Sequence, residues 1–185
     1  MSSKQRLRKK FIFFRKKKYF SIQKNIFKPL ISIISKRKIK RISLYYPSNH
    51  EFDTIKLIEI LNKKKNLLTL LPIILKNRSM KFVKWELSDP LKINKYGFLE
   101  PVLNKKNFSP DLIILPVVAF DIFGNRLGYG KGYYDRFLGK YLIKNRSPIK
   151  IGLAFSFQKY KKIPTSNFDI KLDYVLTEKG IFKPK

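Results

Sequence analysis

Three glycines spaced two apart, Gly128, Gly130 and Gly132, stand among Arg126, Leu127, Tyr129, Lys131, Tyr133 and Tyr134, just ahead of Asp135. Glycine lets a backbone approach a ligand closely, and the free N–H groups of a following helix point outward, so such a loop suits an anion. Arg126 and Lys131 would add two cations beside it. Two phosphate motifs fail on spacing. A Walker A loop needs glycine five residues before the Gly-Lys pair and Ser or Thr after it, but Asn125 precedes Gly130-Lys131 and Gly132 follows. A dinucleotide fingerprint would need a small residue where Tyr133 stands. By spacing alone the loop is a phosphate cradle or a plain glycine turn.

Other residues with chemical potential are scattered. Lys4 and Arg8 lie one helical turn apart and share a side, although a solvated basic face would look the same. Glu51 follows a strand, where ligands of α/β sheets collect, and precedes the helix cap that Asp53 or Thr54 would supply. His50 is the only histidine and there is no cysteine, so it reads as an exposed residue of the turn Pro47-Ser48-Asn49-His50 rather than a metal ligand. Asp135 could be a helix-start charge favoured by the dipole.

The elements that must position these residues alternate between strand and helix. Leu112 to Leu115 is a short buried strand ended by Pro116; a tight turn falls near Gly124, and a helix follows in which Tyr133, Phe137, Leu138 and Tyr141 recur. Upstream, Leu7, Phe11 and Phe14 mark one face of a helix from Lys4 to Lys18. The spacing of Ile22, Ile26, Leu30 and Ile33 predicts a second helix over Tyr19 to Ser35, kinked or split at Pro29. Ile39 to Tyr46 alternates as a strand, and a helix with Ile55, Ile58 and Leu61 on its apolar face follows. Asn66 to Leu75 predicts a strand broken at Pro72; Met80, Phe82 and Trp85 predict a bent one. Tyr96 to Pro101 reads as a turn, and Asn104 to Asn107 as a loop. Ile151 to Phe157 and Asp173 to Glu178 are the last strands. This alternation predicts one α/β domain over residues 1–185, with three α/β/α layers and a mostly parallel sheet.

Composition bounds the reading further. At 185 residues and 44% hydrophobic, the chain can bury a core. No apolar run is long enough to span a bilayer and no secretory signal is evident, so the expectation is a cytoplasmic protein without membrane partners. The formal charge of +30 invites a nucleic-acid role, since clustered Lys and Arg bind phosphate backbones without regard to sequence. Here, however, lysines are spread over the chain and occur in loops such as Lys63-Lys64-Lys65, as drift toward AT-rich codons would produce. No specific nucleic-acid partner is expected.

The wording of the central stretch is more specific than its spacing. Ala119-Phe120-Asp121, followed by Gly124-Asn125-Arg126-Leu127-Gly128-Tyr129-Gly130-Lys131-Gly132-Tyr133-Tyr134-Asp135, closely resembles the signature of the 5-formyltetrahydrofolate cyclo-ligase family, also called methenyltetrahydrofolate synthetases. The resemblance runs from Lys4 to Glu178, with one departure in Val117-Val118. It implies ATP- and Mg²⁺-dependent closure of 5-formyltetrahydrofolate to 5,10-methenyltetrahydrofolate; separately, a monomer is expected. It carries ATP contacts onto Lys4, Arg8 and the segment Arg126 to Tyr134, with Arg126 and Lys131 as catalytic cations. Folate contacts fall on Glu51, Met80, Tyr129, Gly130, Lys131, Gly132 and Tyr133, and Mg²⁺ on Asp135 and Asp169, while Tyr96 to Pro101, similar to the family's Gly-x-x-Glu-Pro turn, is expected as a structural turn framing the pocket. A catalytically degenerate folate and ATP binder, or a basic nucleic-acid-binding protein, are the rival readings.

Overall fold

The computed structural model describes residues 2–48, 50–76, 79–102, 106–142 and 147–185. Asn49 of the predicted turn, Asn104 and Lys105 of the predicted loop, and the side chain of Tyr141 lie outside what is described.

Helix α1 (Ser3–Lys18) begins with a reciprocal cap in which Ser2 Oγ accepts from the Gln5 N–H and Gln5 Oε1 accepts from the Ser2 N–H. Phe11 is its buried anchor, flanked by the partly buried Leu7 and Phe14, and the three pack with Val118, Ala119, Leu127 and Ile163. The predicted second helix is shorter and later than its spacing suggested. Residues 19–23 are non-helical, Lys24–Phe27 form a 3₁₀ turn, and α2 covers Lys28–Lys36 with Pro29 in its first turn. Proline fixes φ and donates no N–H, so it starts a helix readily but cannot continue one. The buried set is accordingly Ile22, Phe27, Leu30 and Ile34, with Ile26 and Ile33 only partly covered.

Strand β1 (Arg41–Ser43) is shorter than the predicted Ile39 to Tyr46. Beyond it the backbone is claimed by local contacts: the Thr54 hydroxyl donates to the Tyr45 carbonyl at 2.6 Å and the Tyr45 hydroxyl to the Phe52 carbonyl at 3.0 Å. Helix α3 (Ile55–Asn62) therefore uses Asp53, whose Oδ1 accepts from the Ile55 N–H, while Thr54 is drawn inward. Its inner face is Leu57, Ile58 and Leu61; Ile55 is half-buried. Strand β2 (Leu68–Ile74) runs unbroken through Pro72. Pro72 lies opposite Phe82 of β3 (Met80–Lys84), whose N–H and C=O turn away to Asn107 and Phe108. The proline nitrogen thus faces the other edge, past the end of β1, where no ladder bond is owed.

A hairpin of β4 (Leu91–Ile93) and β5 (Leu99–Pro101) carries the predicted turn. Strand β6 (Leu112–Pro116) is wholly buried. A small ribbon of β7 (Ala119–Phe120) and β8 (Arg126–Leu127) then leads through the glycine loop to α4 (Tyr133–Leu142). Strand β9 (Ile149–Leu153) stops before Phe157 because Gln158 turns the chain. Its Oε1 accepts from the Phe155 N–H, and its Nε2 donates to the carbonyls of Val117 and Val118. Strand β10 (Tyr174–Thr177) is followed by an unpredicted edge strand, β11 (Gly180–Phe182).

These strands form one sheet in the order β11-β10-β9-β6-β1-β2-β3. The inner five are parallel and the two edges antiparallel. Helices α2 and α3 cover one face through a core that includes Phe27, Leu30, Leu57 and Ile114; α4 packs on the other around Ile113, Leu115, Leu138 and Val175. Two apolar faces and two helical covers give the three predicted layers. In chain order the parallel strands run 2-1-3-4-5. The direction of strand addition reverses between β1 and β6, which leaves a crevice beyond their carboxyl ends.

Candidate active site

A cavity of about 250 Å³ opens at that reversal. Tyr45, Tyr46 and Glu51 reach it from the end of β1, Pro72, Ile74 and Met80 from β2 and β3, and Pro116 from β6. The hairpin contributes Tyr96, Phe98 and Glu100, α1 contributes Lys4 and Arg8, and the glycine loop closes the mouth with Arg126 through Asp135. Every residue singled out from the sequence as a site candidate lines this one cavity, although Lys4 and Asp169 are 165 positions apart.

Local chemistry explains how the glycine loop is presented. Asp121 is fully buried, and its carboxylate accepts from the N–H groups of Phe123, Asn125 and Ile163 and from the Asn125 side chain, all at 2.9–3.0 Å. That turn needs Gly124 at φ +79°, where a Cβ would lie 2.8 Å from the Leu172 carbonyl oxygen. Gly130 sits at φ +91°, and a Cβ there would lie 2.9 Å from the Arg8 guanidinium carbon. Arg8 uses this clearance to donate from Nε to the Gly128 carbonyl at 2.8 Å, tying α1 to the loop.

Two cation–carboxylate pairs mark one end. Lys4 Nζ binds Asp169 Oδ2, and Arg126 donates to Asp135 Oδ1 at 3.0 Å while lying over the Tyr134 ring. The side chains of Lys4 and Asp169 are 24% and 27% exposed, so both can exchange partners with a ligand. Burial works to raise the Asp169 pKa, but the Lys4 ammonium and the Ser166 N–H outweigh it and leave the carboxyl below its ordinary range. Among the described residues no cluster of three or more His, Asp or Glu side chains could enclose a metal. Two neighbouring carboxylates do fit Mg²⁺, which usually takes one or two from the protein and the rest from phosphate and water. Asp135 and Asp169 are linked through the Ile170 N–H, 3.4 Å from Asp135 Oδ1.

The other end is aromatic and drier. Glu51 is 6% exposed; its Oε1 accepts from the Tyr129 hydroxyl at 2.6 Å and its Oε2 from the Ser48 N–H at 2.9 Å. Burial raises the carboxyl's pKa, opposed by the Tyr129 hydrogen bond, the charge of Arg15 and the Ser48 N–H. Burial likewise pushes up the phenols of Tyr45, Tyr129 and Tyr134. The Tyr133 hydroxyl donates to that of Tyr96 at 2.7 Å, and Lys131 stands 5.2 Å from the Tyr96 ring centre. Flat apolar walls with few polar groups suit a planar heteroaromatic ligand.

Sequence reasoning missed Arg15. The turn Tyr96 to Pro101, expected as a structural turn framing the pocket, does so through Tyr96 and Glu100, which both line the cavity. Glu100 is buried and accepts from the Ile74 N–H and the Asn94 side chain, pinning the hairpin to β2. Arg15, 1% exposed, donates to the Tyr129 hydroxyl at 2.6 Å. Its signal was available: Arg15 follows Leu7 and Phe11 at four-residue intervals, on the face that turns inward. Trp85 is core, packed with Tyr46 away from the loop. His50 is exposed, at φ +61°, against the ring of Tyr19.

Fold and site together define a doubly wound α/β protein with a ligand crevice at its topological switch point, basic at one end and aromatic at the other. The chain belongs to the 5-formyltetrahydrofolate cyclo-ligase family, whose profile matches residues 1–178. It is 37% identical over 153 residues to a 5-formyltetrahydrofolate cyclo-ligase of Haemophilus influenzae, covering 79% of this chain and 80% of that one. An Escherichia coli protein of the same name is 32% identical over 149 residues, with 77% and 80% covered. Among solved structures, a 5,10-methenyltetrahydrofolate synthetase of Aquifex aeolicus superposes with a TM-score of 0.76 at 30% identity, covering 98% of this chain and 93% of that one. One from Mycoplasma pneumoniae gives 0.71 at 27% identity, covering 96% and 99%.

Proposed function

We propose that the protein is an ATP- and Mg²⁺-dependent 5-formyltetrahydrofolate cyclo-ligase acting as a monomer through one domain, residues 1–185. The observation that carries the reading is the meeting of a cation-rich glycine loop and a buried aromatic-carboxylate pocket in one cavity. A formamide is a poor electrophile and its oxygen a poor leaving group. Transfer of the γ-phosphoryl group from ATP to the formyl oxygen answers both: one P–O bond forms as the bond to ADP breaks. N10 then attacks the activated carbon, closing the ring; the C–O bond breaks, phosphate departs with the former formyl oxygen, and the N10 proton passes to solvent. The product is 5,10-methenyltetrahydrofolate.

Such chemistry asks for positioning and charge neutralisation rather than a covalent nucleophile. Lys4, Arg8, Arg126 and Lys131 would hold the phosphates, with the N–H groups of the glycine loop. Arg126 and Lys131 are the cations assigned to the moving phosphoryl group. Asp135 and Asp169 would hold Mg²⁺, which supplies charge neutralisation on phosphate oxygens when bound. For that, Arg126 and Lys4 would release their carboxylates and turn to phosphate. Glu51 would accept N–H bonds from the pterin, and Met80, Tyr129 and Tyr133 would cover its faces.

The test is a near-ultraviolet assay of purified protein with 5-formyltetrahydrofolate, Mg²⁺ and ATP. The expected result is growth of the methenyl absorbance only when all three are present. Binding of folate and ATP without product would replace the proposal with the degenerate-binder reading. Binding of RNA alone at physiological salt would replace it with the nucleic-acid reading.

A further inference from the structure

Arg15 is the one arginine whose side chain is buried from α1 into the region behind the glycine loop. Its guanidinium is 2.6 Å from the Tyr129 hydroxyl and 5.5 Å from that ring's centre, and the Tyr129 hydroxyl in turn donates a hydrogen bond to Glu51 at 2.6 Å. Arg15 is not among the cavity-lining residues. A buried guanidinium is costly unless an anion nearby compensates it, and Glu51 is the carboxylate that its field reaches. We infer that Arg15 is a positioning residue which, through the Tyr129 hydroxyl, aims Glu51 into the pocket and favours its charged form, and so sets the affinity for the N–H-rich edge of a pterin. This deepens the proposed function and rests on its assignment of Glu51 to the folate.

The groups facing Glu51 define the expectation. Arg15 comes from α1, Tyr129 from the loop, Tyr45 from the end of β1, Tyr134 from α4, and the Ser48 N–H from the preceding turn. Arg15 carries the only positive charge in that set. The phenols stay neutral across the working pH range, since burial pushes each upward. Without the guanidinium, the buried carboxyl would hold its proton to higher pH. A protonated Glu51 presents one acceptor fewer to the ligand.

The experiment compares Arg15→Met, Glu51→Gln and the double variant. With Arg15→Met, the affinity for 5-formyltetrahydrofolate at pH 7 should fall by about 10–100-fold while ATP affinity changes less than about threefold. The folate pH profile should move to higher pH, so that raising the pH restores affinity toward the native level. In the Glu51→Gln background the same Arg15 change should cost folate affinity little, and Arg15→Lys should retain part of the native profile. A pH-independent loss, or an equal loss of ATP binding, would overturn the inference. Should Arg15→Met fail to fold, Glu51→Gln should restore the fold by removing the buried carboxyl's titration; failure to do so would equally overturn it. That melting comparison needs no ligand. A wild-type protein that neither bound nor converted the folate would therefore remove the proposed function while leaving the coupling of Arg15 to Glu51 separately decided.

Discussion

The two ends of the cavity use the same ingredients, carboxylates and basic side chains, for opposite ends. At the phosphate end, Lys4 meets Asp169 directly with both side chains about a quarter exposed, and Arg126, 5% exposed, meets Asp135, 23% exposed. At the aromatic end, Glu51 is joined to Arg15 through a tyrosine, and both charges are nearly sealed. Pairs open to solvent contribute about 0–1 kcal/mol, so of these two the more open Lys4–Asp169 pair is exchanged for a phosphate or a metal at the lower cost. Stranding one member of a buried set costs about 3–5 kcal/mol. A pair that must change partners during a reaction belongs at the wet end; one that must orient a ligand belongs at the dry end.

Substitutions at the two ends should separate activity from stability accordingly. The largest effect is expected from Asp135→Asn, which should lower turnover by about 100–1,000-fold while the circular dichroism spectrum and melting point stay close to native. A collapse of the fold would show that the Arg126 pair is structural instead. Glu51→Gln should weaken folate binding by about 10–100-fold and change how the melting point of the ligand-free protein depends on pH. The sign follows from burial: the folded carboxyl has a raised pKa, so stability is lost as the pH rises through it, and glutamine escapes that loss. The melting point of the glutamine variant relative to native should therefore climb as the pH rises out of the ordinary carboxylate range; a constant difference would break the comparison.

Asp169 should behave in the opposite way. Its depressed pKa contributes stability at neutral pH that disappears as the pH falls through the carboxylate range. Asp169→Asn should melt slightly lower at pH 7 and converge with native protein only as the pH falls below the ordinary carboxylate range. Lys4→Ala should raise the KM for ATP by about tenfold with folate affinity nearly unchanged; the reverse pattern would move Lys4 to the folate end. The smallest effect concerns the +30 charge. Self-repulsion should ease with ionic strength, lifting the melting point by a few degrees between 20 and 200 mM salt, and any retention of RNA should weaken steeply over the same range.

Most of the candidate site was legible because its residues sit in a contiguous, unusually worded stretch whose glycines answer to backbone geometry. Lys4 and Asp169 were reached through the family resemblance, since nothing in their local spacing separates a ligand contact from a surface charge, whereas Glu51 also had its place at a strand's end. The fold erred where local pattern and tertiary demand diverge. Pro72 reads as a break, yet β2 passes through it because its neighbour β1 has already ended. The Tyr19 to Ser35 periodicity reads as one helix, yet Pro29 and the preceding turn divide it.

By itself the sequence determined the alternation of strands and helices, the buried strand Leu112 to Leu115 and the glycine loop, because periodicity, proline and glycine act over a few residues. Tertiary structure alone decided that Arg15 would be sealed behind Tyr129, that the two metal-candidate carboxylates would each hold a cation, and that the hairpin around Tyr96 would wall the cavity. Those outcomes depend on which elements meet at the reversal between β1 and β6. A residue's burial and charge partners come from segments far away in the chain, and local spacing carries no record of them.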